Sequence, residues 1–111
     1  MDINRKFYIK QGDLLPALAG TFVDETTGAP QSLMGVTTLT FHMRNGAGEV
    51  VVSAAANVVD AAAGTFRYDW MSGDTAVAGV FEGEIEAIFT DRPLTGPNTR
   101  NFLITIMPEI A

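Results

Sequence analysis

Hydrophobic and polar positions alternate most clearly between Gly64 and Thr90. Phe66, Tyr68 and Trp70 fall on one parity, and Thr65, Arg67 and Asp69 on the other. A polar, glycine-bearing corner follows, SGDTAVAG. Beyond it, Phe81, Gly83, Ile85, Ala87 and Phe89 share a parity, and Glu82, Glu84 and Glu86 take the opposite one. Successive side chains of a strand point to opposite faces, so each run predicts a strand with one apolar and one solvated face.

The same period recurs along the chain. Short strands are predicted at residues 7–10, 17–23, 36–44, 49–53, 56–60 and 100–107. In the third of these, Leu39, Phe41 and Met43 alternate with Thr38, Thr40, His42 and Arg44. Turn formers separate the runs: Gln11-Gly12-Asp13, the 24–30 stretch DETTGAP, Asn45-Gly46, and the Ala61–Gly64 segment. Pro93 and Pro97 make 91–98 a loop. Seven or eight strands at intervals of about ten residues are the pattern of an all-β sandwich or barrel. Apolar positions at helical spacing are not sustained over three turns anywhere.

Composition narrows the function classes. The chain has 111 residues, enough for one domain spanning 1–111 with a core of its own. It has no cysteine, which removes disulfides, thiolate metal sites and a cysteine nucleophile together. Seven basic residues against 13 acidic give a net charge of −6. The cations are scattered, and phosphate backbones need them clustered, so no nucleic-acid partner is expected. No apolar run is long enough to span a membrane, and the start, MDINRKFYIKQGD, lacks the apolar stretch of a signal peptide. The expectation is a protein made in the cytoplasm, without a membrane partner. Residues 1–6, with Arg5 and Lys6, are expected to form a terminal arm that frays or orders on a neighbour.

Each candidate for chemistry has a plainer reading beside it. Glu82, Glu84 and Glu86 form a row with about 7 Å between neighbours. Such a row suits a divalent cation, a pair of acid/base carboxylates, or a basic surface on another subunit. A solvated outer face explains it without any ligand, because a hard-cation site also needs converging loop oxygens. His42 is the single histidine and lies on a polar parity, as an exposed or cross-strand-packed imidazole does. Ser32, Ser53 and Ser72 lack a nucleophile-elbow context, and Gly46-Ala47-Gly48 is followed by no lysine-serine pair. Catalysis is therefore not expected, nor any cofactor. Phe66, Tyr68 and Trp70 read as core, with a carbohydrate-stacking platform as the alternative. Leu14, Leu15, Leu33, Met34 and Leu94 lie in predicted loops; exposed together, they would mark a subunit interface.

The runs FYIKQGDLLPAL, VTTLTFHMRNGAGEVVVSAAANVVDAAAGTFRYDW, SGDTAVAGVFEGEIEAIF and FLITI together resemble a family of small tailed-phage proteins. They are similar to the immunoglobulin-like N-terminal domain of the phage upper baseplate protein, over about residues 7 to 107. The most specific pieces are FYIKQGD, VDAAAGTFRYDW and GDTAVAGVFEGE, all of them fold and turn signatures. The family pattern more often has Tyr where Phe81 stands, and a plainer acidic loop in place of 91–98. The segment from Asp74 to Phe81 also resembles the E–F corner of immunoglobulin-like domains, where a tyrosine hydroxyl bonds back to the backbone. Phe81 has no hydroxyl to make that bond.

What the resemblance implies is an immunoglobulin-like β-sandwich of antiparallel strands in a virion structural protein. Its partners would be other virion proteins or copies of itself. A tail or baseplate adaptor comes first, and a head decoration or head–tail neck protein second. A carbohydrate-binding module acting on host surface glycan is the alternative of another class. The contact surface is expected among Arg5, Lys6, Leu14, Leu15, Leu33, Met34, Glu82, Glu84, Glu86 and Leu94.

Overall fold

Eight strands form where the apolar–polar alternation is strongest, in a computed structural model that describes residues 6–23, 27–90 and 102–109. They are β1 Lys6–Lys10, β2 Leu18–Thr21, β3 Val36–Arg44, β4 Val50–Ala55, β5 Asn57–Asp60, β6 Thr65–Tyr68, β7 Gly79–Phe89 and β8 Phe102–Met107. Each expected strand is present, with boundaries shifted by a few residues at most. No helix occurs among the described residues.

The strands make two sheets. One has five strands in the order β1-β8-β7-β3-β4, and the other has three in the order β2-β6-β5. Their inner faces share one core, so the architecture is all-β and sandwich-like. One pair departs from the expected antiparallel arrangement: β1 and β8 run parallel, with Phe7 opposite Ile104 and Ile9 opposite Ile106. Hairpin turns force antiparallel pairing only between strands that follow one another. β1 and β8 lie at opposite ends of the sequence, so no turn sets their direction.

The parity of the sequence becomes the inside and outside of the sheets. Phe41, Ile85, Ala87 and Ile104 are fully buried from the five-stranded side, and Phe66 and Tyr68 from the other. The centre is aromatic. The Phe41 and Tyr68 ring centroids are 4.6 Å apart, and Trp70 stands edge-on to both, at 5.7 and 5.4 Å. Such pairs add about 0.5–1.5 kcal/mol beyond the area they bury. The Trp70 indole nitrogen is buried without a hydrogen-bond partner among the described residues. Trp70 thus fills space rather than making a polar link.

The turn into β6 is fixed by backbone. Gly64 has φ +73° and is buried, and a Cβ there would sit 2.3 Å from the carbonyl oxygen of Gln31. That close approach lets Phe22 N–H donate to the Gly64 carbonyl at 2.7 Å, and Leu33 N–H to the Ala61 carbonyl at 2.7 Å. Phe22 and Leu33 are thereby drawn fully into the core. Leu33, expected at an exposed interface, is a core residue: its loop is stitched inward by those bonds and presents no surface there.

Candidate functional site

The outer face of the five-stranded sheet gathers His42, Ser53, Arg44 and the three glutamates of β7. β3 lies between β4 and β7, with His42 opposite Ser53 on one side and Glu84 on the other. Thr40 faces Glu86 and Arg44 faces Glu82. The side chains then pair diagonally as well as directly. Glu86 Oε1 lies 3.0 Å from His42 Nε2, Ser53 Oγ lies 3.0 Å from His42 Nδ1, and Arg44 Nε donates to Glu82 Oε1 at 2.9 Å. Two of the three glutamates are therefore bonded to β3. Of the two placements expected from its parity, exposed or cross-strand-packed, the histidine takes the cross-strand one.

A depression of about 250 Å³ opens beside this network. Its wall comprises His42, Met43, Arg44, Val50, Glu82, Gly83, Glu84 and Glu86. The order serine–histidine–glutamate matches the connectivity of a nucleophile, its base and the group that orients the base. Connectivity alone does not make acyl transfer, which also needs the substrate carbonyl held beside the hydroxyl. Ser53 does not line the depression, and three carboxylates do. The arrangement is suited to the basic side chain of a neighbour. Among the described residues no three His, Cys, Asp or Glu side chains converge as a metal site.

The corner between β6 and β7 is organised differently. Tyr68 is buried, and its hydroxyl donates to Asp74 Oδ2 at 2.5 Å. Met71 N–H donates to the same oxygen at 2.9 Å. Burial, and then the hydrogen bond and charge of Asp74, push the Tyr68 phenol well above its ordinary value of 10.0. Thr75 is the one buried polar side chain of the described chain, and its hydroxyl donates to the Asp13 carbonyl at 2.9 Å. Gly12 N–H donates to the Thr75 carbonyl at 3.0 Å, and the Gln11 side-chain amide to the Ala76 carbonyl at 2.7 Å. A tyrosine hydroxyl does bond at this corner, but it is that of Tyr68 at the end of β6, and it meets the Asp74 carboxylate rather than the backbone. The aromatic alternation marked Tyr68 as core, and nothing in the sequence said that its oxygen would meet Asp74.

The remaining expected contact residues are dispersed. Lys6 opens β1 and is exposed, opposite Leu103 of β8. Leu14, Leu15 and Met34 are exposed, Leu15 the most at 76%. The two leucines precede Pro16 in the β1–β2 connection, and Met34 lies just before β3. Arg5 and Leu94 lie outside the described residues. Phe66, Tyr68 and Trp70 are all buried, so that set offers no stacking platform to a glycan. A second surface was not anticipated: a groove of about 320 Å³ between the β3–β4 turn and the corner. Its apolar wall includes Val51, Val77 and Val80, all exposed. Val51 lies in β4, and Val77 and Val80 lie in the GDTAVAGVFEGE run, so no periodic signal joined them.

No protein-family model matches the chain, and no curated protein matches it in sequence. Among solved structures the chain is similar to CopC from Methylosinus trichosporium OB3b, at a TM-score of 0.58 and 13% identity. The match covers 97% of this chain and 89% of that one. At that identity the likeness is one of fold alone, and it extends over nearly the whole chain.

Proposed function

We propose that the chain is an immunoglobulin-like module of a tailed-phage virion, a tail- or baseplate-associated adaptor that works by protein–protein contact. The observation that carries this reading is where the resemblance-bearing residues sit. FYIKQGD and GDTAVAGVFEGE meet through the bonds of Gln11, Gly12 and Asp13 to Thr75 and Ala76. VDAAAGTFRYDW supplies Gly64, Tyr68 and Trp70 to the turn and core. The runs that resemble the phage proteins are thus the runs that build this fold. The exposed remainder, carboxylates on one face and valines at one end, suits contact with neighbouring chains. Many weak contacts of this kind become strong on a symmetric particle through effective concentration.

Mass spectrometry of purified particles from the phage that encodes the chain tests the reading. The chain should be present in fixed stoichiometry with a tail or baseplate protein. A stoichiometry fixed to the capsid protein would move it to the head, as a decoration. Its absence from infectious particles would remove the virion role.

A further inference from the structure

We propose that β4 is a self-association edge, at which two copies of the chain pair antiparallel and join their five-stranded sheets into one. The proposal is independent of the virion reading and concerns the chain in solution. Among the described residues β4 is the last strand of its sheet, with β3 on one side and no strand on the other. An open edge presents unpaired main-chain groups, and proteins normally guard it with charge, proline or brevity. The other edges are guarded in these ways. β1 begins and ends with lysine, Lys6 and Lys10, and is five residues long. β2 has four residues and follows Pro16. β5 has four residues and ends in the charged Asp60.

β4 has neither charge nor proline. From Val50 to Val59 the sequence is VVVSAAANVV, without one charged residue. Its only irregularity is the register shift opposite Met43 and Arg44, at Val51, which leaves Val52 to Ala55 regular. A chain of net charge −6 repels its own copies, and β4 adds no charge to that repulsion. The sequence of the edge is also self-complementary. Val50-Val51-Val52 and Ala54-Ala55-Ala56 flank Ser53. An antiparallel pairing centred on Ser53 sets Val52 against Ala54 in the regular part of the strand, and Val51 against Ala55 where the register shifts. Such a pairing has a two-fold axis and closes as a dimer rather than growing into a filament. Val50, Val51, Ser53 and Ala55 are exposed in the single chain and available to it.

Sedimentation equilibrium of the whole chain, from micromolar to about 1 mM, reads the association directly. The mass should rise from one chain to two and stop there. Ser53→Lys and Ser53→Glu place like charges at the axis, and each dimer should weaken by about five-fold or more. Ser53 is exposed and loses only a surface bond to His42, so both variants should stay folded and unfold thermally close to the parent, which separates lost pairing from lost folding. An equimolar mixture of the two should restore association, because lysine then faces glutamate. In the parent, amide exchange between Val52 and Ala55 should slow with concentration. A parent chain that stays single to about 1 mM would overturn the proposal. So would Lys and Glu variants that each dimerise as tightly as the parent.

Discussion

The corner between β6 and β7 and the outer face of the five-stranded sheet are built from similar residue types, aspartate and glutamate beside hydroxyls and a ring. They do opposite work. At the corner, Asp74 is held by a buried phenol and a backbone N–H, and Thr75 is buried against the 11–13 turn. On the outer face, Arg44 and Glu82 are 40% and 49% exposed, and water competes for every bond they make. A polar group out of water is costly to leave unpaired, whereas an exposed ion pair is worth only about 0–1 kcal/mol. The corner therefore holds the fold together, and the face contributes little to it. Chemical type does not separate the two; burial does.

Substitutions that attack the buried side should have the largest effects. Gly64→Ala combines a positive φ with a Cβ driven into the Gln31 carbonyl, and should cost about 3 kcal/mol or more in urea unfolding. Loss of less than about 1 kcal/mol would mean that the 31–33 segment gives way easily. Tyr68→Phe keeps the ring and leaves Asp74 without its phenol, at a cost of about 1–3 kcal/mol near neutral pH.

That variant also has a signature in pH. The folded phenol ionises above its ordinary value of 10.0. Its contribution to stability is therefore fully present below pH 10 and is lost as pH rises beyond it, by up to about 1.4 kcal/mol per pH unit. Thermal unfolding followed across alkaline pH should show this loss in the parent and a smaller loss in Tyr68→Phe. Equal slopes would mean that the phenol ionises alike in both states. At the small end, Glu84→Gln should change unfolding stability by less than about 0.5 kcal/mol, and an Arg44–Glu82 double-mutant cycle should give a coupling of at most about 1 kcal/mol that fades with salt. A glutamate on this face worth several kcal/mol would erase the contrast.

Strand identity was legible in the sequence because period-two alternation has one structural meaning when one face is buried. Val36–Arg44 and Gly79–Phe89 bury every second residue over most of their length, and the buried positions are the apolar ones. Register was not legible. Nothing in the residues around His42 says that it will lie between Ser53 and Glu84, with Glu86 in reach, so the network on the outer face was visible only as a row and a lone ring. Leu33 misled because its neighbours, Ser32, Met34 and Gly35, look like loop. What buries it is a backbone bond to Ala61, 28 positions away in sequence. The parallel β1–β8 pair escaped for the same reason. Local pattern sets which face is apolar, and long-range pairing decides the rest.

The central claim is that this chain folds through its corner and works by contact through its exposed faces on a virion. Cryo-electron microscopy of the assembled particle tests it most directly. The account predicts density for the chain at a tail or baseplate position. Neighbouring proteins should lie against the Glu82–Glu86 face, the Val51–Val77–Val80 groove or a sheet edge, and Tyr68 and Asp74 should remain internal. Particles complete and infectious without the chain would contradict it.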